Sequence, residues 1–205
     1  MFYTPDTLDR NVLPHDPFKA IVAPRPIGWI STLSAENVAN LAPYSFFNAI
    51  GGMPPMIMFS SEGVKDTARN AIDSGEFVFN YVSKNLEEDM NNTSVPAPKG
   101  VSEFSHCGIE RAESNLVSPP RVAKAYAALE CKVTTVLELV DIGGAKTGAV
   151  TIVGQVVGVH ISDEVIVNGR FDVTLANPVT RMGYLDFSYV SDIHEVPRPN
   201  WSPDG

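Results

Sequence analysis

Residues 129–161 read LECKVTTVLELVDIGGAKTGAVTIVGQVVGVHI, and they decide the fold. The runs 129–140 and 150–161 are rich in β-branched residues, and Asp141-Ile142-Gly143-Gly144 between them supplies turn formers, which together predict a long antiparallel ribbon. Gly154 and Gly158 interrupt the second arm and predict bulges or sharp curvature there. Curved strands favour a barrel over a sandwich. Working outward, strand-like runs recur at 27–33, 44–50, 56–60, 77–82 and 165–167, mostly bounded by Gly, Pro, Asn or Asp, so seven strands are expected in all. Helical signals are short. Asp66-Thr67 is expected to cap a helix over 66–74 that Gly75 stops, and 85–92 predicts a second helix whose run Glu87-Glu88-Asp89 faces water. The fold class expected is therefore mainly β, with a few short helices.

The chain has 205 residues, a length that fits one domain over 1–205, with a proline-rich tail from about 194 to 205 (Pro197, Pro199, Pro203). A chain of this mass folds to a surface of roughly 9,400 Å², enough burial to need no disulfide or metal. Fifteen basic against 24 acidic residues give a net charge of −9, the wrong sign for nucleic acid or an anionic membrane. The first ten residues carry Asp6 and Asp9 where a leader would be basic, and no apolar run reaches the length of a membrane span, so a cytoplasmic protein is expected. Only 19% of residues are charged, which suggests a surface partly covered by another subunit. Cys107 and Cys131 are read as reduced structural thiols.

No GxGxxG, GxSxG, HExxH or paired CxxC is present. In Gly143-Gly144-Ala145-Lys146-Thr147 an alanine precedes the lysine, where a phosphate loop needs glycine, so this is read as a strand connection. The histidines (His15, His106, His160, His194) are scattered, so no metal site is expected, and His160 is read as a core or interface residue. What stands out is the segment 23–67, where Ser31, Thr32, Asn40, Ser45 and Asn48 interleave with aromatics, a composition suited to a planar heteroaromatic ligand. Lys65 and Thr67 at a helix amino terminus then suit a phosphate monoester. Ring plus phosphate points to a mononucleotide such as FMN; a capped surface helix after an ordinary hairpin is the alternative reading of the same residues.

Arg25-Pro26-Ile27-Gly28-Trp29-Ile30-Ser31-Thr32, Asn40-Leu41-Ala42-Pro43-Tyr44-Ser45-Phe46-Phe47-Asn48, Pro54-Pro55 and Lys65-Asp66-Thr67 resemble the flavin reductase-like family of FMN-binding split barrels. Later landmarks extend the likeness over nearly the whole chain: Gly75 to Asn80, Pro119-Pro120-Arg121-Val122, Gly154 to His160, and Pro178-Val179-Thr180-Arg181-Met182-Gly183-Tyr184. Departures at Lys124-Ala125-Tyr126 and at Arg181 to Asp186 bear on the second substrate. The resemblance implies a split β-barrel homodimer with FMN at the interface, and Trp29, Phe46 or Phe47 near the partner subunit. It places Ser31, Thr32, Ala42, Pro43, Ser45, Phe46, Phe47 and Asn48 along the flavin and Lys65, Asp66 and Thr67 at its phosphate. Arg25 would be a second positive charge and Arg181 would lie near the flavin or nicotinamide. No catalytic acid or base is expected, because the cofactor carries the chemistry. The implied activity is NAD(P)H-dependent reduction of flavin, with NADH or NADPH as donor, supplying an oxygenase or another electron acceptor. A flavoredoxin-like carrier that keeps its FMN, or a flavin-binding module without turnover, are the alternatives.

Overall fold

The ribbon expected at 129–161 is present and longer than its sequence core. The computed structural model describes residues 1–190 and 192–202. Its strands are β1 (Arg25–Pro26), β2 (Gly28–Leu33), β3 (Ala39–Tyr44), β4 (Phe47–Gly52), β5 (Pro55–Glu62), β6 (Glu76–Asn80), β7 (Arg111–Ala112), β8 (Arg121–Val122), β9 (Ala127–Val140), β10 (Lys146–Ile161), β11 (Ile166–Val167), β12 (Arg170–Phe171), β13 (Val179–Arg181) and β14 (Phe187–Tyr189). The short helices are α1 (Phe18–Ile21), α2 (Asp66–Ser74), α3 (Glu87–Asn92), α4 (Glu103–His106) and α5 (Val173–Ala176).

β9 and β10 pair along almost their whole length, and the turn closes because Asp141 Oδ1 accepts the N–H groups of Gly143 and Ala145 while Gly144 takes φ +84°. Register shifts fall at Val153/Gly154 and Val156/Gly158, the two glycines expected to bend the strand. A Cβ at Gly154 would run into the Phe77 ring, so glycine there is what lets β10 curl over the core.

Seven strands form one sheet in the order β3-β2-β6-β9-β10-β5-β4. Its two edge strands, β3 and β4, are joined by Ser45 and Phe46 alone. Three Cα steps reach at most about 11 Å, so the edges must come together and the sheet curls into a barrel that is split between them. The expected single strand over 44–50 is therefore two strands, because the chain has to turn across this seam. Phe46 O accepts the N–H of Ser60 on β5 at 2.8 Å and holds the turn in place.

Two apolar clusters stabilise the arrangement. Ile30, Phe47, Phe59, Phe77, Cys131 and Ile152 fill the barrel, with Ala68 and Ala71 of α2 closing one side. Trp29, Leu41, Leu86, Met90, Phe104 and Val179 pack outside it. β2 contributes to both, which is why it is buried on both faces. Other boundaries differ locally from expectation: the run 77–82 ends its strand at Asn80, 165–167 pairs only at Ile166–Val167, and 85–92 is a 3-10 turn, Lys84–Leu86, followed by α3. Residues 192–202 carry no regular structure, and Pro203 in the expected tail lies outside the described residues.

Candidate functional site

The seam opens onto a cavity of about 630 Å³, of the size that holds a cofactor. One wall is the end of β3 and the turn after it, with Ala42, Pro43, Tyr44, Ser45 and Phe46. Proline is tolerated there because β3 is an edge strand with no neighbour on its outer side. The floor is the amino end of α2 with Lys65, Asp66, Thr67 and Arg69, and the far wall is the stretch 93–99.

Asn40 fixes these pieces relative to one another. Its Oδ1 accepts from the hydroxyls of Thr67 (2.6 Å) and Thr32 (3.3 Å), and its Nδ2 donates to Glu103 Oε2 at 2.8 Å. Glu103 Oε2 also accepts the N–H of Leu41. One amide thus ties β3, α2 and α4 together in a buried network. Tyr44 lies against it with Thr67 and Ser61 beside its hydroxyl, and burial pushes that phenol above its ordinary pKa.

The expected cap is corrected. Lys65, not Asp66 or Thr67, is the N-cap, and no side chain caps α2, because Thr67 is turned inward to Asn40 and Asp66 pairs with Arg69 at 3.0 Å. The first-turn N–H groups therefore remain for an anion. Among the cations on the cavity, Arg69 is neutralised by Asp66 and Lys19 lies 4.0 Å from Glu62, whereas Lys65 and Lys99 form no ion pair among the described residues.

Ala42, Pro43, Ser45, Phe46, Lys65, Asp66 and Thr67 are brought together on this cavity as the sequence predicts. Six others are not. Ser31 and Thr32 are fully buried; Ser31 donates to Pro120 O and receives Asn80 Nδ2, and Thr32 serves Asn40. Phe47 points into the barrel and stacks on Phe79 with ring centroids 4.8 Å apart. Asn48 is exposed on β4 and accepts its neighbour's N–H. Arg25, expected as a second positive charge here, spends its guanidinium on the carbonyls of Lys19, Val22 and Met182. Arg181 lies on a separate, adjoining cavity. Trp29 is also interior, donating to Thr93 Oγ1 at 2.9 Å, so neither it nor Phe47 is free to reach a partner subunit. Sequence reasoning missed Lys19, Arg69 and Lys99; only Arg69 had a signal, its i, i+4 spacing from Lys65 on one helix face.

The chain belongs to the flavin reductase like domain family, whose model matches residues 22–174. It is 32% identical to the uncharacterized protein BH2278 of Halalkalibacterium halodurans over 98% of each chain. Among solved structures it is similar to nitrilotriacetate monooxygenase component B from Bacillus cereus (TM-score 0.86, 26% identity, 96% of this chain and 98% of that one). It is equally similar in sequence to the 2-nitrobenzoate 2-nitroreductase NbaA of Pseudomonas fluorescens (TM-score 0.84, 26% identity, 99% and 98%). The fold is thus the split barrel of a flavin-binding family, and no helix among the described residues is long and apolar enough to cross a membrane.

Proposed function

We propose that the seam cavity holds FMN and that the protein uses a reduced nicotinamide, NADH or NADPH, to reduce it. The observation that carries this is electrostatic. Lys65, Lys99 and the uncapped amino end of α2 all line one 630 Å³ cavity in a chain of net charge −9. Unneutralised cations on a cavity suit a phosphate monoester. Pro43, Ser45 and Phe46 on its wall offer flat apolar surface and a hydroxyl donor to a ring.

When bound, flavin supplies hydride acceptance from the nicotinamide and onward electron transfer, so the chain needs to position and desolvate rather than to move protons. Lys65 and Lys99 hold the anion, Thr67 is oriented by Asn40, and the Ala42 to Phe46 turn sets the face the ring rests on. Reduced flavin would go to an oxygenase partner, a reading that the likeness to a monooxygenase component B supports.

Assembly as a homodimer is part of the proposal. The accessible surface of the described chain is 12690 Å², against roughly 9,400 Å² for a monomer of this mass. The outer half of the ribbon contributes, with Val136, Leu137, Leu139, Val140 and Ile142 exposed, and so do Ile50 on β4 and Met53 just after it. The decisive experiment is anaerobic stopped-flow bleaching of FMN by each nicotinamide, with riboflavin as the phosphate-free comparison. Bleaching of FMN, with riboflavin bound at least tenfold more weakly, is the expected result; equal affinity for the two flavins would remove the phosphate site.

A further inference from the structure

A smaller cavity of about 170 Å³ adjoins the first and shares Pro43, Ser45 and Ser94 with it. Ile27, Met90 and Phe187 make its apolar wall, and Arg181 lines it as well. The Arg181 guanidinium lies 4.3 Å from the Phe187 ring centroid, and its Nη2 and Nη1 donate to the carbonyls of Tyr184 (2.6 Å) and Leu185 (3.3 Å). A stacked guanidinium tethered at two points is pre-organised, and its remaining N–H groups can still grip a carboxylate.

The cross-strand neighbour of Arg181 is another arginine. The β1–β13 register sets Arg25 directly opposite Arg181, where like charges are unfavourable. Arg25 is 7% exposed, and its Nε is buried without a partner. Burial first, and then Arg181, push its guanidinium below the ordinary value. Neither arginine forms an ion pair among the described residues, although the chain carries 24 acidic residues. Two adjacent cations left without a counter-ion beside a cavity mark a place where an anion is brought from outside.

We infer that this cavity binds a small aromatic carboxylate, its ring against Ile27, Met90 and Phe187 and its carboxylate on Arg181. Size limits the ligand to one ring. An apolar cavity of roughly 150 Å³ accommodates a benzene, whereas drug-sized ligands occupy roughly 300–1,000 Å³, so a whole dinucleotide does not fit. An inorganic anion would satisfy Arg181 but leave the apolar wall wet. This inference stands on the cavity itself and goes beyond the flavin reading.

The test is calorimetric titration of the purified full-length protein with benzoate, benzamide and inorganic phosphate, repeated on Arg181→Gln. Benzoate should bind saturably, at least tenfold more tightly than benzamide, without being displaced by equimolar phosphate, and Arg181→Gln should erase that preference. In wild-type protein carrying ¹³C-methyl methionine, benzoate should move the Met90 resonance more than those of the other methionines, a readout that does not depend on the variant folding. Benzamide matching benzoate, phosphate displacing bound benzoate as tightly as benzoate binds, or a stationary Met90 signal would each overturn the assignment. The titration follows the probe and not turnover, so absence of FMN binding leaves it readable and the two readings fail separately.

Discussion

Lys65 sits at the N-cap of α2 in extended backbone (φ −78°, ψ −179°), which swings its side chain to the cavity rather than along the helix. A charge-assisted bond is worth about 1.5–3 kcal/mol, so Lys65→Ala should weaken FMN binding about tenfold or more while barely changing riboflavin, as fluorescence quenching would read. Glu130 makes a different prediction. It is fully buried, and burial pushes its carboxyl up, yet the N–H groups of Asn115 and Leu116 and the ring of His160 outweigh that and hold it below the usual range. A carboxylate with a depressed folded pKa contributes stability above its unfolded value, about 4.3, and that contribution is lost as pH falls below it. The melting temperature of wild type should therefore drop in that acid window. Glu130→Ala, which strands three backbone donors, should lose about 3–5 kcal/mol at neutral pH and show a flatter acid limb. The place of Lys65 on the cavity was legible because it is local, a cation beside a helix start. Arg25 was not, because what occupies it are backbone carbonyls, those of Lys19 and Val22 in the chain before β1 and that of Met182, brought near by the β1–β13 pairing. The cysteines read correctly as free, Cys131 being fully buried with its thiol pushed far up.

At the scale of elements, the β9–β10 ribbon was readable because its signals are all short-range: β-branched arms, an Asp-Gly turn, and two glycines where curvature is needed. Gly154→Val should test whether that curvature matters. Its new side chain would meet Phe77 and Cys131 inside the barrel, and overpacking of this kind destabilises by about 1–3 kcal/mol, to be measured as a lower urea midpoint with unchanged slope. An unaltered midpoint would mean that the bulge, and not the absent side chain, accounts for the glycine. The seam between β3 and β4 was not legible. Residues 44–50 carry an unbroken strand pattern, and only closure of the sheet, a long-range event, forces the turn at Ser45 and Phe46. The helix α2 shows the same division: Gly75, at φ +71°, ends it as its sequence says, but its cap was misassigned because Thr67 is drawn to Asn40, 27 residues away.

For the whole molecule, the question is what covers the excess surface. About 3,300 Å² separates the 12690 Å² exposed from the roughly 9,400 Å² expected of a monomer, more than the roughly 1,000–2,500 Å² per partner that a permanent homodimer interface buries, so the irregular carboxy-terminal stretch and the projecting ribbon share the excess. The low charged fraction suggested a covered surface in the sequence, but not the apolar stretch proposed here, because exposure of Leu137, Val140 and Ile142 depends on how far the ribbon projects beyond β6. Two protomers of charge −9 repel at low salt, and a mostly apolar contact has no ion pairs to lose when salt is added. Sedimentation velocity should accordingly show a dimer at micromolar concentration whose dissociation constant falls as sodium chloride rises from about 10 to 150 mM, the range over which screening sets in. Leu137→Glu should raise that constant, since it places a charge on the exposed apolar stretch of β9 and, in a symmetric interface, does so twice. A dissociation constant that instead rises with salt would identify an interface held by charge pairs, and would move it away from the ribbon.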